Sequence, residues 1–372
     1  MLRTVVLPLL VLGALPCLAR ELPELTPLWL QQEGWIGACD NRRDCQLLYA
    51  PNIDFAERVN HLTLKIRSQA GPEGLLQLQL EHQGAPLELG ALRLDGQPLE
   101  PGLLAALVQE VEAPDSTREQ QYYRVDDQPL ARQWLARLRT AQVLELPGEE
   151  PAQVLLKGLP DLLQRVDQVQ QRLGTVSALA APGEQPASAV PGLQPAAALR
   201  PYPGVKPLGA RERTGLLAAV RKTLPPAKTE DADDYVMPPR IEVYPLTAQQ
   251  ALVFEFSDCG AYICLFDISS RSRTAPYALQ PLQMQALPAG SVDHAGGLNY
   301  YPETGELSSF LMGRGIGDCG EMASWHFDGQ AFQLTDYRRM PTCSGATKTG
   351  RCSGVPRHPS APEPRHQVQA SP

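Results

Sequence analysis

The sequence predicts a mainly β (α+β) protein: two β-sandwich-like domains with a few short helices, joined by a Pro/Ala-rich linker. Three observations indicate this class. Apolar and polar residues alternate in several short runs, which is the period of a half-buried strand. Asp-Gly and Gly-rich turns separate those runs. The 36 prolines and 30 glycines cluster between Pro182 and Pro239 and after Pro356, as expected of a linker and a tail.

The first 19 residues have the pattern of a secretory signal. Arg3 supplies positive charge, Val5 to Leu15 is almost entirely apolar, and small residues lead to Ala19, after which we predict cleavage. The alternative is a lipoprotein acylated at Cys17, but Pro16 stands where such a signal has a small residue. No apolar run reaches the about 20 residues of a membrane span, so none is predicted after cleavage.

Composition divides the rest of the chain. We predict an N-terminal β domain over residues 20–175, a Pro/Ala-rich linker over 176–239 with a short helix at Arg213 to Leu224, a C-terminal disulfide-stapled β domain over 240–345 and a disordered tail over 346–372. At 372 residues the chain is long enough for two domains that each bury a core.

The first domain opens with Trp35 to Cys45 (WIGACDNRRDC), a charged loop between two cysteines. Alternation then predicts two strands and a bulge or turn at Gly90-Ala91; the alternating residues are Leu62, Leu64 and Ile66, then Leu76, Leu78 and Leu80. Helices are predicted at Leu103 to Glu112, Pro129 to Leu138 and Pro160 to Leu173. The last has a Gln- and Asp-rich face that we expect to be solvated, and Gly174 as its C-terminal cap.

The second domain has strand signals at Leu252 to Phe256 and Ala261 to Phe266. Two hairpins follow, one pairing Leu298 to Tyr301 with Leu307 to Leu311, the other folding about Asp328-Gly329. Both signals are typical of small antiparallel sheets.

Seven cysteines survive cleavage of the signal. In an oxidising compartment we predict three bridges, Cys39 to Cys45, Cys259 to Cys264 and Cys319 to Cys343, with Cys352 free or exchanged with Cys343. The spacing of Cys259 and Cys264 also fits zinc, but strand residues surround that pair and disfavour a metal.

Four motifs in order resemble the bacterial envelope family known as domain of unknown function 1176: WIGACDNRRDC, LKGLPDLLQRVDQVQQRLGT, CGAY and GRGIGDCGEMASWHFDGQAFQL. The N-terminal half is also similar to the invasion-associated locus B family, through its Trp-x-x-x-Cys opening, Asp95-Gly96 and the segment Gly158 to Leu173. These resemblances imply a periplasmic, signal-bearing, β-rich protein. Neither implies a catalytic residue, a cofactor or a ligand.

The glycine-rich run Gly313 to Gly320 is the best candidate for a binding site. Arg314 lies between two glycines, where its guanidinium and nearby backbone amides could bind an anion. The structural alternative is that Arg314 braces a carboxylate such as Asp318 or Asp258. The net charge of −8 argues against a nucleic-acid partner.

Two further hypotheses concern the segment after the glycines. Asp318, Glu321 and His326 could bind a divalent metal or serve acid-base chemistry, or they could brace and solvate a structural turn. Trp325, with three further aromatic residues, could form a carbohydrate or peptide platform, or equally the core face of a small sheet; the three are Phe327, Phe332 and Tyr337.

We therefore predict an exported, non-catalytic periplasmic binding or interaction protein without a cofactor or metal, whose partner is an envelope protein or glycan. The predicted binding residues are Arg314, Asp318, Trp325 and His326. Two alternatives remain open: a proteinaceous inhibitor of an envelope hydrolase, and a hydrolase that uses Asp318, Glu321 and His326.

Overall fold

The structure is a computed structural model that describes residues 28–40, 42–51, 61–83, 87–110, 120–149, 151–193, 199–224, 240–259, 263–287, 295–315, 317, 319–340, 343 and 352–353. The predicted signal sequence, Asp318 and most of the predicted tail lie outside these ranges.

The N-terminal half is built from short antiparallel strands and three helices. Its strands are β1 Leu28–Gln32, β2 Trp35–Cys39, β3 Cys45–Tyr49, β4 His61–Ser68, β5 Leu76–Gln83, β6 Arg93–Leu94, β7 Gln97–Pro98, β8 Val108–Glu110, β9 Gln120–Val125, β10 Val143–Leu146 and β11 Ala152–Leu155. Its helices are α1 Pro101–Ala105, α2 Gln128–Leu138 and α3 Leu159–Gln170.

The described strands of this half form two sheets. The first has the order β1-β2-β3-β4-β5-β9-β8, and the second has the order β11-β10-β6-β7. One face of the first sheet, the core face, is apolar because alternate residues of β4 and β5 such as Leu64 and Leu80 lie opposite each other. α2 packs on β5 and α3 packs on β2. The alternation in the sequence therefore identified the core correctly.

Two helix predictions are wrong at their ends. α1 stops at Ala105 and the chain enters β8, because Val108 and its neighbours pair with β9 instead of continuing the helix predicted to Glu112. α3 ends at Gln170 because Gln171 adopts a left-handed conformation with φ 57°. Leu173, predicted to lie on the apolar stripe, is 50% exposed.

The C-terminal half is a sandwich of two antiparallel sheets in the described residues, and the mainly β fold class is confirmed. The third sheet has the order β12-β13-β14-β15 with β16 also on β14, and the fourth has the order β17-β18-β19-β20-β21. These strands are β12 Ile241–Pro245, β13 Gln250–Cys259, β14 Cys264–Ser272, β15 Leu279–Gln280, β16 Ala295–Gly296, β17 Asn299–Tyr301, β18 Glu306–Met312, β19 Gly320–Phe327, β20 Phe332–Met340 and β21 Cys352–Ser353.

Aromatic side chains fill the space between the third and fourth sheets. Phe254 and Phe266 from the third sheet pack with Trp325 and Phe332 from the fourth. Both predicted hairpins are present, as β17-β18 and β19-β20. β21 pairs with β20, so this short stretch of the predicted tail belongs to the fourth sheet.

The range predicted as a linker is packed over much of its described length. Residues 199–208, which we call the strap, cross the end of the fourth sheet, where Tyr202 packs edge-on against Phe327 with ring centroids 6.3 Å apart. Helix α4, Ala210–Arg221, then buries Leu216 and Val220 against the third sheet. The domain boundaries themselves stay predictions.

Arg273, in the turn that follows β14, holds the strap and α4 in place. Its guanidinium donates to the carbonyl oxygens of Lys206 and Thr247, each at 3.0 Å, and pairs with Glu212 in the first turn of α4. Glu212 also accepts a hydrogen bond from the Gly209 amide at 3.0 Å, which completes the N-terminal cap. One buried cation therefore joins the strap, α4 and the third sheet.

Substitution of Gly305 tests how tightly the strap packs against the fourth sheet. Its φ is +71°, and a Cβ built there would lie 2.6 Å from Cδ2 of Tyr202. Gly96 has nearly the same φ, +76°, but its added Cβ would meet nothing within 4 Å. We expect Gly305→Ala to lower the free energy of unfolding by about 1–3 kcal/mol more than Gly96→Ala, because only the first also displaces a packed ring. Chemical denaturation of both variants measures this, and equal losses would show that the strap is loosely held.

Candidate functional site at the stapled glycine corner

The glycine corner, residues 313–319, is the loop between β18 and β19. Backbone hydrogen bonds close it: the Gly313 amide donates to the Cys319 carbonyl and the Gly317 amide to the Arg314 carbonyl, both at 2.9 Å. A disulfide joins Cys319 to Cys343, which follows β20. The corner is therefore fixed covalently and by its own backbone, as the sequence predicted.

Glycine is required where the corner enters β19. Gly320 has φ +133°, and an added Cβ would lie 2.1 Å from the carbonyl oxygen of Leu311. Such an approach between Cβ and backbone oxygen is not tolerated, so the strand can begin here only with glycine. Tight pairing of β18 with β19 then positions the corner.

The base of the corner packs against the N-terminal half. The first sheet has an outer face, opposite its core face, and Ile36 and Leu48 lie on it with less than 2% exposure. These side chains form one buried apolar cluster with Cys319 and Met340. Trp29 of β1 also packs edge-on against Tyr337 of β20, with ring centroids 6.1 Å apart. We call this contact the docking interface.

Arg314 acts as a brace. Its Nη2 donates to the carbonyl oxygen of Cys343 at 2.9 Å, and the side chain is half-buried. This contact matches the structural alternative in kind, since Arg314 braces a neighbouring segment through a backbone carbonyl. The predicted pairing with Asp318 or Asp258 concerns side chains outside those that the structure describes. Among the described residues of the corner, those exposed to solvent are Gly313 and Gly315.

Trp325 belongs to the core, which corrects its assignment as a binding residue. It is fully buried, and its indole N–H donates to the carbonyl of Gln285 at 2.9 Å. The other three aromatic residues proposed for a platform are also buried, because they lie on the face of the fourth sheet that meets the third sheet; they are Phe327, Phe332 and Tyr337. The core-face interpretation is the correct one.

Glu321 and His326 do not share a site. They are five residues apart on β19, which is regular against β18, so their side chains point to opposite faces of the sheet and are separated by about 16 Å along the strand. Glu321 pairs with Arg339 at 3.0 Å. The hydrolase arrangement predicted from these two residues and Asp318 is wrong in this respect, and within the described residues no cluster of three metal-binding side chains occurs.

His326 has a strap contact and a carboxylate neighbour. Its Nε2 lies 3.0 Å from the carbonyl oxygen of Arg200 in the strap. Across the strand pair it faces Glu306, whose pKa is raised by burial and lowered to a smaller extent by the nearby His326. These contacts make His326 a link between β19 and the strap.

The sequence missed a buried polar network at the end of α3. Arg172 is fully buried; its Nη2 donates to the carbonyl of Gln69 at 2.6 Å and to that of Gly71 at 3.1 Å. Asp167, also fully buried, accepts the Leu179 amide at 2.8 Å. On α3, Asp161, Gln164 and Gln168 are exposed as predicted, whereas Asp167 and Gln170 are buried, contrary to the prediction.

This network reaches the loop closed by the Cys39–Cys45 disulfide, which we call the knuckle. Gln170 donates from Nε2 to the carbonyl oxygens of Arg43 and Ser68, both at 2.8 Å. Asp40 caps the knuckle by accepting the Arg42 and Asp44 amides at 2.9 Å. The motif segment of α3 and the knuckle motif are therefore joined directly.

The buried carboxyl group of Asp40 should make the free energy of unfolding depend on pH. Burial and then the charge of Asp44 raise its pKa to about 6. Because the folded state holds this proton more tightly than the unfolded chain, the contribution of Asp40 to stability falls as the pH rises from about 4 through 6. We expect Asp40→Asn, which keeps the accepting oxygen, to be more stable than the parent by on the order of 1 kcal/mol at about pH 7.5 and equal to it near about pH 4. A pH-independent loss in urea titrations would instead indicate only a damaged turn.

The disulfides among the described residues match those predicted from the sequence. Cys39–Cys45 and Cys319–Cys343 are bridged, so the exchange of Cys352 with Cys343 is not observed. Cys264 is also disulfide-bonded and lies opposite Cys259 in the β13-β14 register. In the described ranges, no helix has the length and apolar character needed to cross a membrane.

These features define a class of protein: an antiparallel β protein of two halves whose loops are fixed by disulfides and whose glycine corner joins the halves. The chain belongs to the family described as "Protein of unknown function (DUF1176)", which matches residues 31–351. It is similar to a protein of Escherichia coli (strain K12) named "Uncharacterized protein YpfG", with 31% identity over 205 residues. That match covers 51% of this chain and 55% of the relative, so it spans about half of each. No solved structure matches the chain. The similarity to the invasion-associated locus B family stays a prediction.

Proposed function

We propose that this protein is an exported, non-catalytic binding or interaction protein of the cell envelope. The observation that carries the proposal is the glycine corner, which is held by a disulfide and by Arg314 and exposes Gly313 and Gly315. A loop that is already fixed loses little conformational entropy when a partner binds. The corner is therefore suited to recognition.

Two features support export to the periplasm. The bridged cysteines are those of a chain that folds in an oxidising compartment. The first 19 residues have the composition of a signal sequence. Osmotic-shock fractionation with N-terminal sequencing tests this: a chain that begins at Arg20 in the periplasmic fraction is expected, and a chain retained in the cytoplasm would contradict it.

The non-catalytic part of the proposal is supported by what the reactive side chains do. Arg314 binds a backbone carbonyl, Glu321 pairs with Arg339, and His326 contacts the strap. Each of these contacts holds structure together. Within the described part of the chain, Arg314, Glu321 and His326, which the sequence singled out for chemistry, thus have structural partners.

Photocrosslinking in intact cells tests for a partner of the corner. Gly315 is the position to replace with a photoreactive residue, because it is exposed at the tip of the loop. Replacement of Arg314 would remove its bond to Cys343. At Gly313 an added Cβ would lie 2.7 Å from Sγ of Cys319, so a side chain there would disturb the disulfide.

The matched control for this experiment is Gln164, which is exposed on α3. We expect a discrete adduct from position 315 and none from position 164. Urea denaturation of the variant at position 315 confirms that the loop accepts the new side chain. Identical adduct patterns, or none at either position, would contradict a binding role for the corner.

The rigidity of the corner also favours the second candidate, a proteinaceous inhibitor of an envelope hydrolase. Such inhibitors present a loop whose conformation is fixed before binding. In the same experiment, an adduct with a hydrolase would select this candidate, and an adduct with a protein without hydrolytic activity or with a glycan would select a binding module.

A further inference from the structure

α4 and the end of the strap form a basic surface on an otherwise acidic protein. Residues 199–224 contain six basic residues and one acidic residue, against 33 basic and 41 acidic residues in the whole chain. Four of the basic side chains are exposed and make no ion pair with any described residue: Lys206, Arg211, Arg221 and Lys222. We call these four residues the basic face.

The helix geometry orients this face outward. Leu216 and Val220 are buried against Val243 and Val253 of the third sheet. With 3.6 residues per turn, positions 211, 221 and 222 fall on the opposite side of α4. Ten residues separate Arg211 from Arg221, which corresponds to about 15 Å along the axis. The cations are therefore spread along one solvent-facing side.

Helix stability alone does not account for these charges. Arg221 and Lys222 lie at the C-terminal end of α4, where the helix dipole favours cations. Arg211 lies in the first turn, where the dipole disfavours it. Lys206 precedes the helix, and the pKa of Glu212 is lowered mainly by Arg273 and to a smaller extent by Lys206. Glu212, the acidic residue of this segment, is already paired with Arg273. Positive charge at the unfavourable end is better explained by attraction to an external anion.

We propose that the basic face docks the protein on an anionic lipid bilayer surface. Spaced cations on one side of a helix, with the apolar side already buried, match a plane of lipid phosphates by charge, without insertion into the hydrocarbon. This inference goes beyond the proposed binding role of the glycine corner. It requires neither the partner of the corner nor its identity.

Vesicle sedimentation of the purified processed chain tests the proposal. We compare vesicles of zwitterionic lipid with vesicles that contain about 30% anionic lipid at low salt. We expect binding to the anionic vesicles only, and a loss of binding as salt is raised toward about 0.5 M. Absence of binding to anionic vesicles at low salt would overturn the proposal.

Two triple variants locate the surface. Arg211→Gln/Arg221→Gln/Lys222→Gln is expected to weaken vesicle binding on the order of 100-fold. The control removes the same charge from exposed positions of the N-terminal half, at Arg67, Lys157 and Arg165, and is expected to bind as the parent does. Equal losses in both variants would overturn the assignment, as would tighter binding of a DNA duplex through the same α4 residues.

The acidic run Glu230 to Asp234 follows α4 in the sequence and provides a further test. Replacing its carboxylates with amides is expected to leave vesicle binding unchanged or to strengthen it, because tethered carboxylates compete with lipid phosphates. Loss of binding in that variant would overturn the assignment to α4. Because the vesicle assay uses purified protein, failure here leaves the crosslinking result at position 315 intact, and the reverse also holds.

Discussion

Replacing Arg172 with methionine is expected to lower the free energy of unfolding by about 3–5 kcal/mol. Arg172 is fully buried and donates to the carbonyls of Gln69 and Gly71 and to Oε1 of Gln170. Without the guanidinium the Gln69 carbonyl loses this donor, although the Gly71 carbonyl keeps the Gly74 amide and Oε1 of Gln170 keeps the Ser68 hydroxyl. The negative charge of Asp167 also loses one of its two nearby cations, while Arg132 remains. Burial lowers the pKa of Arg172, and a guanidinium remains protonated even so.

Urea denaturation measures this change, with Arg165→Met as the matched control. Arg165 lies on the exposed face of the same helix, so its replacement is expected to change the free energy of unfolding by less than about 0.5 kcal/mol. Arg172→Lys keeps the charge but loses the planar fork and should be intermediate. If Arg172→Met were as stable as Arg165→Met, the network would not hold the N-terminal half together.

The second large effect is expected from the disulfide at the glycine corner. Replacing Cys319 and Cys343 together with serine removes a bridge with a sequence separation of 24 residues, and we expect a loss of about 3 kcal/mol. Cys319 also contributes to the apolar cluster with Ile36 and Met340. Loss of the bridge should therefore loosen the docking interface as well.

Hydrogen exchange separates these two consequences. In the double variant we expect faster exchange in β20 and in β1, which meet through Trp29 and Tyr337. The control is Cys39→Ser with Cys45→Ser, which opens a bridge of only six residues' separation whose cysteines lie in the core cluster of the N-terminal half and not in the cluster with Met340. That control should lose about 2 kcal/mol and leave exchange in β20 unchanged. Unchanged exchange in β20 after loss of the corner bridge would mean that the interface holds without it.

The parts of the fold that follow from local pattern were predictable. Alternation in β4 and β5, the hairpin turn at Asp328-Gly329 and the amphipathic α2 depend on neighbours close in sequence. The end of α3 was not predictable in this way. Asp167 and Arg172 are buried because their partners, Leu179 and Gln69, come from other segments, and periodicity treats such polar residues as solvated.

In the candidate site too, features set by the local sequence were predictable and contacts with distant segments were not. Four glycines correctly indicated a tight corner, because the backbone conformation of a turn is a local property. The Cys319–Cys343 bridge is not local, and it was predicted from the number and order of the cysteines in an oxidising compartment. The acceptor of Arg314 could not be read from the sequence, since Cys343 approaches only after β19 and β20 have folded back. The packing of the strap was not predicted, because proline-rich sequence is typical of linkers. No feature of the neighbouring sequence indicates that Tyr202 packs on Gly305.

Disulfides fix the knuckle and the glycine corner of this β protein, which is the basis on which we propose that it is exported. Peptide mapping of the protein under denaturing, non-reducing conditions, with free thiols alkylated first, tests it most directly. We predict bridged peptides that join Cys39 to Cys45 and Cys319 to Cys343, and no more than a single alkylated cysteine in the processed chain. Alkylation of most cysteines, including both members of either pair, would contradict it.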